Sequence, residues 1–132
     1  MSIAKMIASH PDVRGGDLNE ALAKAVRHAM FCSAICTSCA DACLAEKQVE
    51  HMRQCIRLCL DCADVCGATF RLAARRTGSN DIVLEEMLQV CITACDICAE
   101  ECDRHDHDHC RRCAEMCRET AQDCRAALET FH

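Results

Sequence analysis

The sequence predicts an all-α protein, an antiparallel up-down-up-down four-helix bundle with a short extra N-terminal helix. Three observations predict it. Sixteen cysteines in 132 residues recur at helical spacing. Strand signals are poor: Trp and Tyr are absent, only 3 Phe are present, and the residues between the cysteines are helix formers such as Ala, Leu, Glu, Arg and Met. There is 1 proline and only 4 glycines, so long helices run uninterrupted between a few short breaks.

Each element follows from its boundary residues. Ser2 to Ser9 forms a short helix that Pro11 ends, and Gly15-Gly16 then breaks the chain. Asp17, with Glu20 three residues on, resembles a helix N-cap with its capping partner, which starts a long helix reaching about Ala45. The second long helix runs from about Val49 to Arg76. Thr77-Gly78-Ser79-Asn80 is the clearest break, with Gly as a stop and Ser or Asn as the next cap. The third covers about Asp81 to Asp103, and the fourth begins near Asp106 or Asp108. Connections this short make neighbours antiparallel. Residues 1–16 are thus an N-terminal helix and linker, and residues 17–132 the bundle.

Three long helices carry the same motif, C-x3-C-x2-C-x3-C: Cys32, Cys36, Cys39 and Cys43; Cys55, Cys59, Cys62 and Cys66; Cys91, Cys95, Cys98 and Cys102. The fourth keeps the rhythm with one vacancy, as Cys110, Cys113, Cys117, Thr120 and Cys124. At ~100° per residue, offsets of 0, 4, 7 and 11 fall within about 60° of helix surface, so all thiols of a helix face one way. The same 4-3 pattern extends through Leu18, Leu22, Ala25 and Ala29, through Leu84 and Leu88, and through Ala127 and Phe131. These are the core positions of a bundle, so cysteine stands where Leu and Ile usually do.

A short cysteine-rich chain is often a secreted disulfide scaffold. Here the first residues lack a basic segment leading into an apolar stretch and a cleavage site, and no run of about 18 apolar residues could span a membrane. The expectation is a cytoplasmic chain with free thiols, built for metal or redox chemistry. The net charge of −6, with both signs interspersed, gives no basic surface for nucleic acid. No phosphate loop, nucleophile–base set or open coordination position points to an enzyme, and a redox cysteine stands beside one resolving partner rather than fifteen others.

Among metals, zinc favours separate tetrahedral sites on turns, and iron–sulfur clusters favour looped cysteine runs. Cu(I) is soft and selects thiolates. It accepts two or three ligands, which an i, i+4 pair or a cross-helix pair supplies. One Cu⁺ per thiolate also leaves the buried core neutral. The expected cargo is therefore multiple Cu(I) ions, near one per cysteine, with metallothionein-like zinc or mixed-metal sequestration as the rival.

Topology makes the two ends of the bundle different. Cys43, Cys55, Cys102 and Cys110 lie at one end, with Met52 on the seam, His105 and His109 continuing the third helix towards the connection, and His51 and His107 beside them. Leu22, Ala25, Ala73, Leu84, Leu88, Ala127 and Phe131 close the other. Copper is expected to pass through the histidine end, with the leucine end as a plug. A solvated His-Asp turn is the plainer reading of the histidines, and for His28 it is a satisfied surface or core side chain.

The three cysteine runs, with no export signal ahead of them, resemble the cytosolic branch of the bacterial copper storage proteins over about residues 17 to 131. The resemblance implies a homotetramer of four-helix bundles, Cu(I) held by cysteine pairs along the core, and supplementary ligands at one mouth drawn from His105, His107 and His109. Copper donors or acceptors would be low-molecular-weight thiols or a copper chaperone. Thr120 departs from the pattern and removes or weakens one binding position near the plug.

Overall fold

The computed structural model describes residues 2–131; Met1 and His132, the outer ends of the two expected segments, lie outside them. Five α-helices form: α1 (Ile3–Ala8), α2 (Glu20–Leu44), α3 (Arg53–Ala74), α4 (Asp81–Cys102) and α5 (Asp108–Leu128). Each of the four long helices packs against its two neighbours in the order α2, α3, α4, α5 and back to α2, while α1 lies on α2. This is the expected up-down-up-down bundle. No helix among the described residues is long and apolar enough to cross a membrane.

The boundaries show which local signals win. Ser2 caps α1 by accepting from the Lys5 amide. The cap of α2 is Asn19, not Asp17: Asn19 sits in the left-handed region at φ 53° and accepts from the Leu22 amide. Asn tolerates that backbone better than other non-glycine residues, and Asp17 is taken up in a 3₁₀ turn, Gly15–Leu18. A second 3₁₀ turn, Val49–Met52, delays α3 to Arg53. Ahead of α4, Ser79 accepts from the Asp81 amide while Asn80 turns its side chain back to the Leu72 carbonyl.

The core has two zones on one axis. All sixteen cysteines are buried. Beyond them Leu22, Ala25, Val26, Ala29, Ala73, Leu84, Leu88 and Ala127 are also buried, with Phe131 half-buried over them. The apolar end is tied shut by polar contacts: Arg76 donates to the Leu18 carbonyl, and Asn19 donates to Thr130 Oγ1 at 2.8 Å. Outward, Ile82, Val83, Val90 and Ile97 of α4 are exposed. Of the other outward apolar positions, Leu44 is exposed, whereas Ile35, Ile56 and Val65 are half-buried.

Candidate metal centre

Helical spacing stacks the thiols along each helix, and antiparallel pairing brings the stacks together. Along one helix, Cys32 and Cys36 are 3.7 Å apart, Cys62 and Cys66 3.9 Å, and Cys98 and Cys102 4.0 Å between sulfurs. Across helices the spacing is the same: Cys36 to Cys113 and to Cys117, Cys59 to Cys98, and Cys62 to Cys95 are each 3.7 Å. Cys55 joins through Cys102 at 3.8 Å and Cys43 at 3.9 Å, and Cys91 through Cys66 at 3.8 Å. All sixteen remain free thiols.

These contacts resolve into overlapping groups of four donors, each with its ligand atoms within 4.8 Å of one another. Starting near the plug, Cys32, Cys62, Cys66 and Cys95 form one group. Cys32 and Cys62 recur in the next, with Cys36 and Cys117; Cys36 and Cys117 recur with Cys98 and Cys113. Cys113 then joins Cys39, Cys59 and Cys102, and Cys39 joins Cys43, Cys110 and His109 at the mouth. Neighbouring groups share members, so the donors form a continuous ladder rather than isolated sites.

Protons are shared in the same way. S–H donation from Cys102, Cys117 and Cys36 brings Cys113 down to about 6, while Cys36, Cys102 and Cys117 are each held above the ordinary thiol value, with Cys113 the foremost cause. At the mouth burial comes first: it pushes Cys43 and Cys110 up, reinforced by negative charge on neighbouring thiols. A buried thiolate row is costly until cations neutralise it. The raised thiols therefore keep their protons in the empty column, and soft monovalent cations can take the place of those protons on sulfur.

His109 belongs to the first turn of α5 rather than to the seam of α4. Its Nδ1 lies 3.4 Å from Cys39 Sγ and 3.6 Å from Cys110 Sγ, and its Nε2 donates to Glu46 Oε2 at 2.7 Å. Burial opposes its protonation, but Cys39 and Glu46 outweigh that and raise its pKa, while the His109 contact lowers that of Glu46. His107 stacks on His109, ring centroids 5.4 Å apart, and also faces Glu46 at 3.4 Å. His105 donates from Nε2 to Glu101, a buried carboxylate that also takes Arg104 at 2.7 Å. The structure thus brings His109 onto the thiols, and holds His105 and His107 on carboxylates beside them. An open cavity of about 560 Å³ adjoins this end, lined by Glu46, Lys47, His51, Met52, His105 and His107 among others.

Glu46 and Glu101 were not among the expected site residues. Glu46 lies 63 residues from His109 in sequence, so no local pattern marks it. Glu101 was within reach, as an i, i+4 Glu–His pair at a helix end. At the other end, Thr120 fills the missing thiol position, fully buried, with its hydroxyl donated to the Met116 carbonyl at 2.8 Å. Beyond it, Cys124 faces Cys91, which pushes its pKa up. His28 pairs with Asp123, as a satisfied histidine.

A sequence model of one family, described as copper storage protein, matches residues 18–129, the whole bundle. This chain belongs to the copper storage protein family. Solved members share its architecture. It is 42% identical to the copper storage protein of Streptomyces lividans loaded with 10 copper equivalents, at a TM-score of 0.91 with 97% of this chain and 98% of that one covered. A form of the cytosolic Streptomyces protein with five coppers matches at 44% identity and a TM-score of 0.85, over 89% of this chain and 100% of that one. Copper-free copper storage protein 3 from Bacillus subtilis matches at 32% identity and a TM-score of 0.70, covering 79% and 95%. Over 43 residues the chain is also 37% identical to an uncharacterized cysteine-rich protein, YhjQ, of Bacillus subtilis (strain 168); the stretch spans 33% of this chain and 40% of that relative.

Proposed function

We propose that this copper storage protein holds Cu(I) as cargo along its thiol ladder, at about one ion per cysteine, roughly 16 in all, with each sulfur shared between two metals. The observation that carries this is the overlap of the four-donor groups: Cys32, Cys36, Cys39, Cys62, Cys113 and Cys117 each belong to more than one. Isolated tetrahedral zinc sites take four ligands each, so sixteen thiols would hold about four zincs, whereas bridging Cu(I) at two or three sulfurs per ion reaches about one ion per thiol. The metal ligands in this reading are the sixteen cysteines with His109, while His105 and His107 assist at the same mouth. Copper passes through the histidine end, because the opposite end is closed by Leu22, Leu84 and Leu88. The role is storage, not turnover. The copper-loaded forms of the Streptomyces relative and its description as cytosolic support a cytoplasmic store, and a homotetramer with small thiols or a chaperone as exchange partners completes the reading.

The test is an anaerobic titration of the reduced protein with Cu(I) against a coloured competing chelator. Uptake of about one copper per cysteine before the chelator responds is the expected result. Saturation near four equivalents, with zinc retained on purification, would replace this reading by the metallothionein-like one.

A further inference from the structure

We infer that Glu46 is a positioning residue for copper uptake: it fixes which nitrogen of His109 faces the thiols. An ionised carboxylate only accepts hydrogen bonds, and Glu46, whose side chain reaches solvent, is ionised at neutral pH like any accessible carboxylate. The Nε2 of His109, 2.7 Å from Glu46 Oε2, must therefore carry a proton. In the neutral imidazole the lone pair then sits on Nδ1. That is the nitrogen beside Cys39 and Cys110, at 3.4 and 3.6 Å. Carboxylates that accept from a ligating histidine fix its tautomer and raise its basicity.

The inference rests on the proposed passage of copper through the histidine end and adds a division of labour to it. The His107 ring stacks on that of His109 and shares the same carboxylate oxygen, so Glu46 anchors both rings of the mouth. It stands 3 residues after Cys43, in the turn that follows α2. The last thiol of one helix and the first histidine of another are therefore aligned through one side chain. Glu101 holds His105 by Nε2 in the same manner, at 2.8 Å.

The experiment compares Glu46→Ala, which removes the acceptor, with Glu46→Gln, whose amide oxygen keeps one. Two readouts are taken on the whole protein: ¹⁵N shifts of the His109 ring, which report the tautomer, and the rate of Cu(I) uptake from a chromophoric chelator complex. In wild type the Nε2–H tautomer dominates. Glu46→Ala populates the Nδ1–H form and slows uptake roughly tenfold, at unchanged final capacity; Glu46→Gln restores most of both. In a His109→Ala background, Glu46→Ala slows uptake no further. Wild-type tautomer and rate in Glu46→Ala, or additive slowing in the double variant, would overturn the inference while leaving the mouth in place. Normal uptake by His109→Ala alone would instead remove the proposed route for copper.

Discussion

The two ends of the bundle are made from the same helices in the same register, yet they close by different chemistry. At the plug, Leu22, Val26, Leu84 and Leu88 fill the axis with carbon. At the mouth, the axis ends on Cys43, Cys110 and His109, over which Glu46, His105 and His107 form a polar, partly exposed cover. Apolar closure holds the fold, because deleting it opens a cavity. Polar closure exchanges hydrogen bonds for water or for a metal ligand at little net cost. On the proposed reading, stability and access are therefore assigned to opposite ends of one column.

The largest effect that probes this division is at the plug. Leu88→Ala, at a fully buried site, is expected to cost about 2–5 kcal/mol in denaturant unfolding of the copper-free protein, while Cu(I) uptake through the mouth keeps its rate. A comparable slowing of uptake would break the comparison. Next in size is an opposed pH response of the empty and filled protein. Burial raises Cys43 and Cys110, so the copper-free fold keeps their contribution below the unfolded thiol value of about 8.5 and loses it as pH rises through the higher folded values. The filled column responds the other way, since protons compete with copper for sulfur as pH falls. Thermal midpoints of both forms between about pH 6 and 10 test this; parallel trends would contradict it.

A smaller change is expected where the two zones meet. Thr120→Cys restores the fourth row between Cys117 and Cys124 and is predicted to raise capacity by about one Cu(I), measured by the same chelator titration. An unchanged capacity would mean that the zone beside the plug is closed to metal whatever its side chains. The smallest effect concerns His109 and Glu46. The pKa of His109 is raised, so its share of the contact is present below about pH 6.5 and lost as pH climbs through the folded value. The pKa of Glu46 is lowered, so its share is present above about pH 4.3 and lost as pH falls through the folded value. NMR titration of the copper-free protein should show the His109 ring titrating above the ordinary histidine range; a midpoint below it would refute the contact.

The thiol column was legible from the sequence because its information is periodic. Spacings of 4 and 3 fix a helix face, and short breaks fix antiparallel order, so the set of core residues followed without coordinates. The plug was legible for the same reason, being the same period in a different alphabet. What could not be read was whatever depends on contact between distant segments. Glu46 meets His109 across 63 residues, and His28 meets Asp123 across 95. The α2 cap was misplaced by two residues because Asp17 and Asn19 are both good capping residues. The choice between them lay in the backbone, where Asn19 takes the left-handed turn.

On the proposed route for copper, the leucine plug also imposes an order in time. A column filled and emptied from one end only works as a last-in, first-out stack. The copper that arrives first would lie deepest, among the thiols around Cys66, Cys91 and Cys95, with every later ion between it and the solvent. Withdrawal then begins with the newest copper, and the oldest leaves only when the column is nearly empty. On that reading the protein would keep a standing reserve beneath a fast-exchanging surface layer, two kinetic pools in a single row of sulfurs.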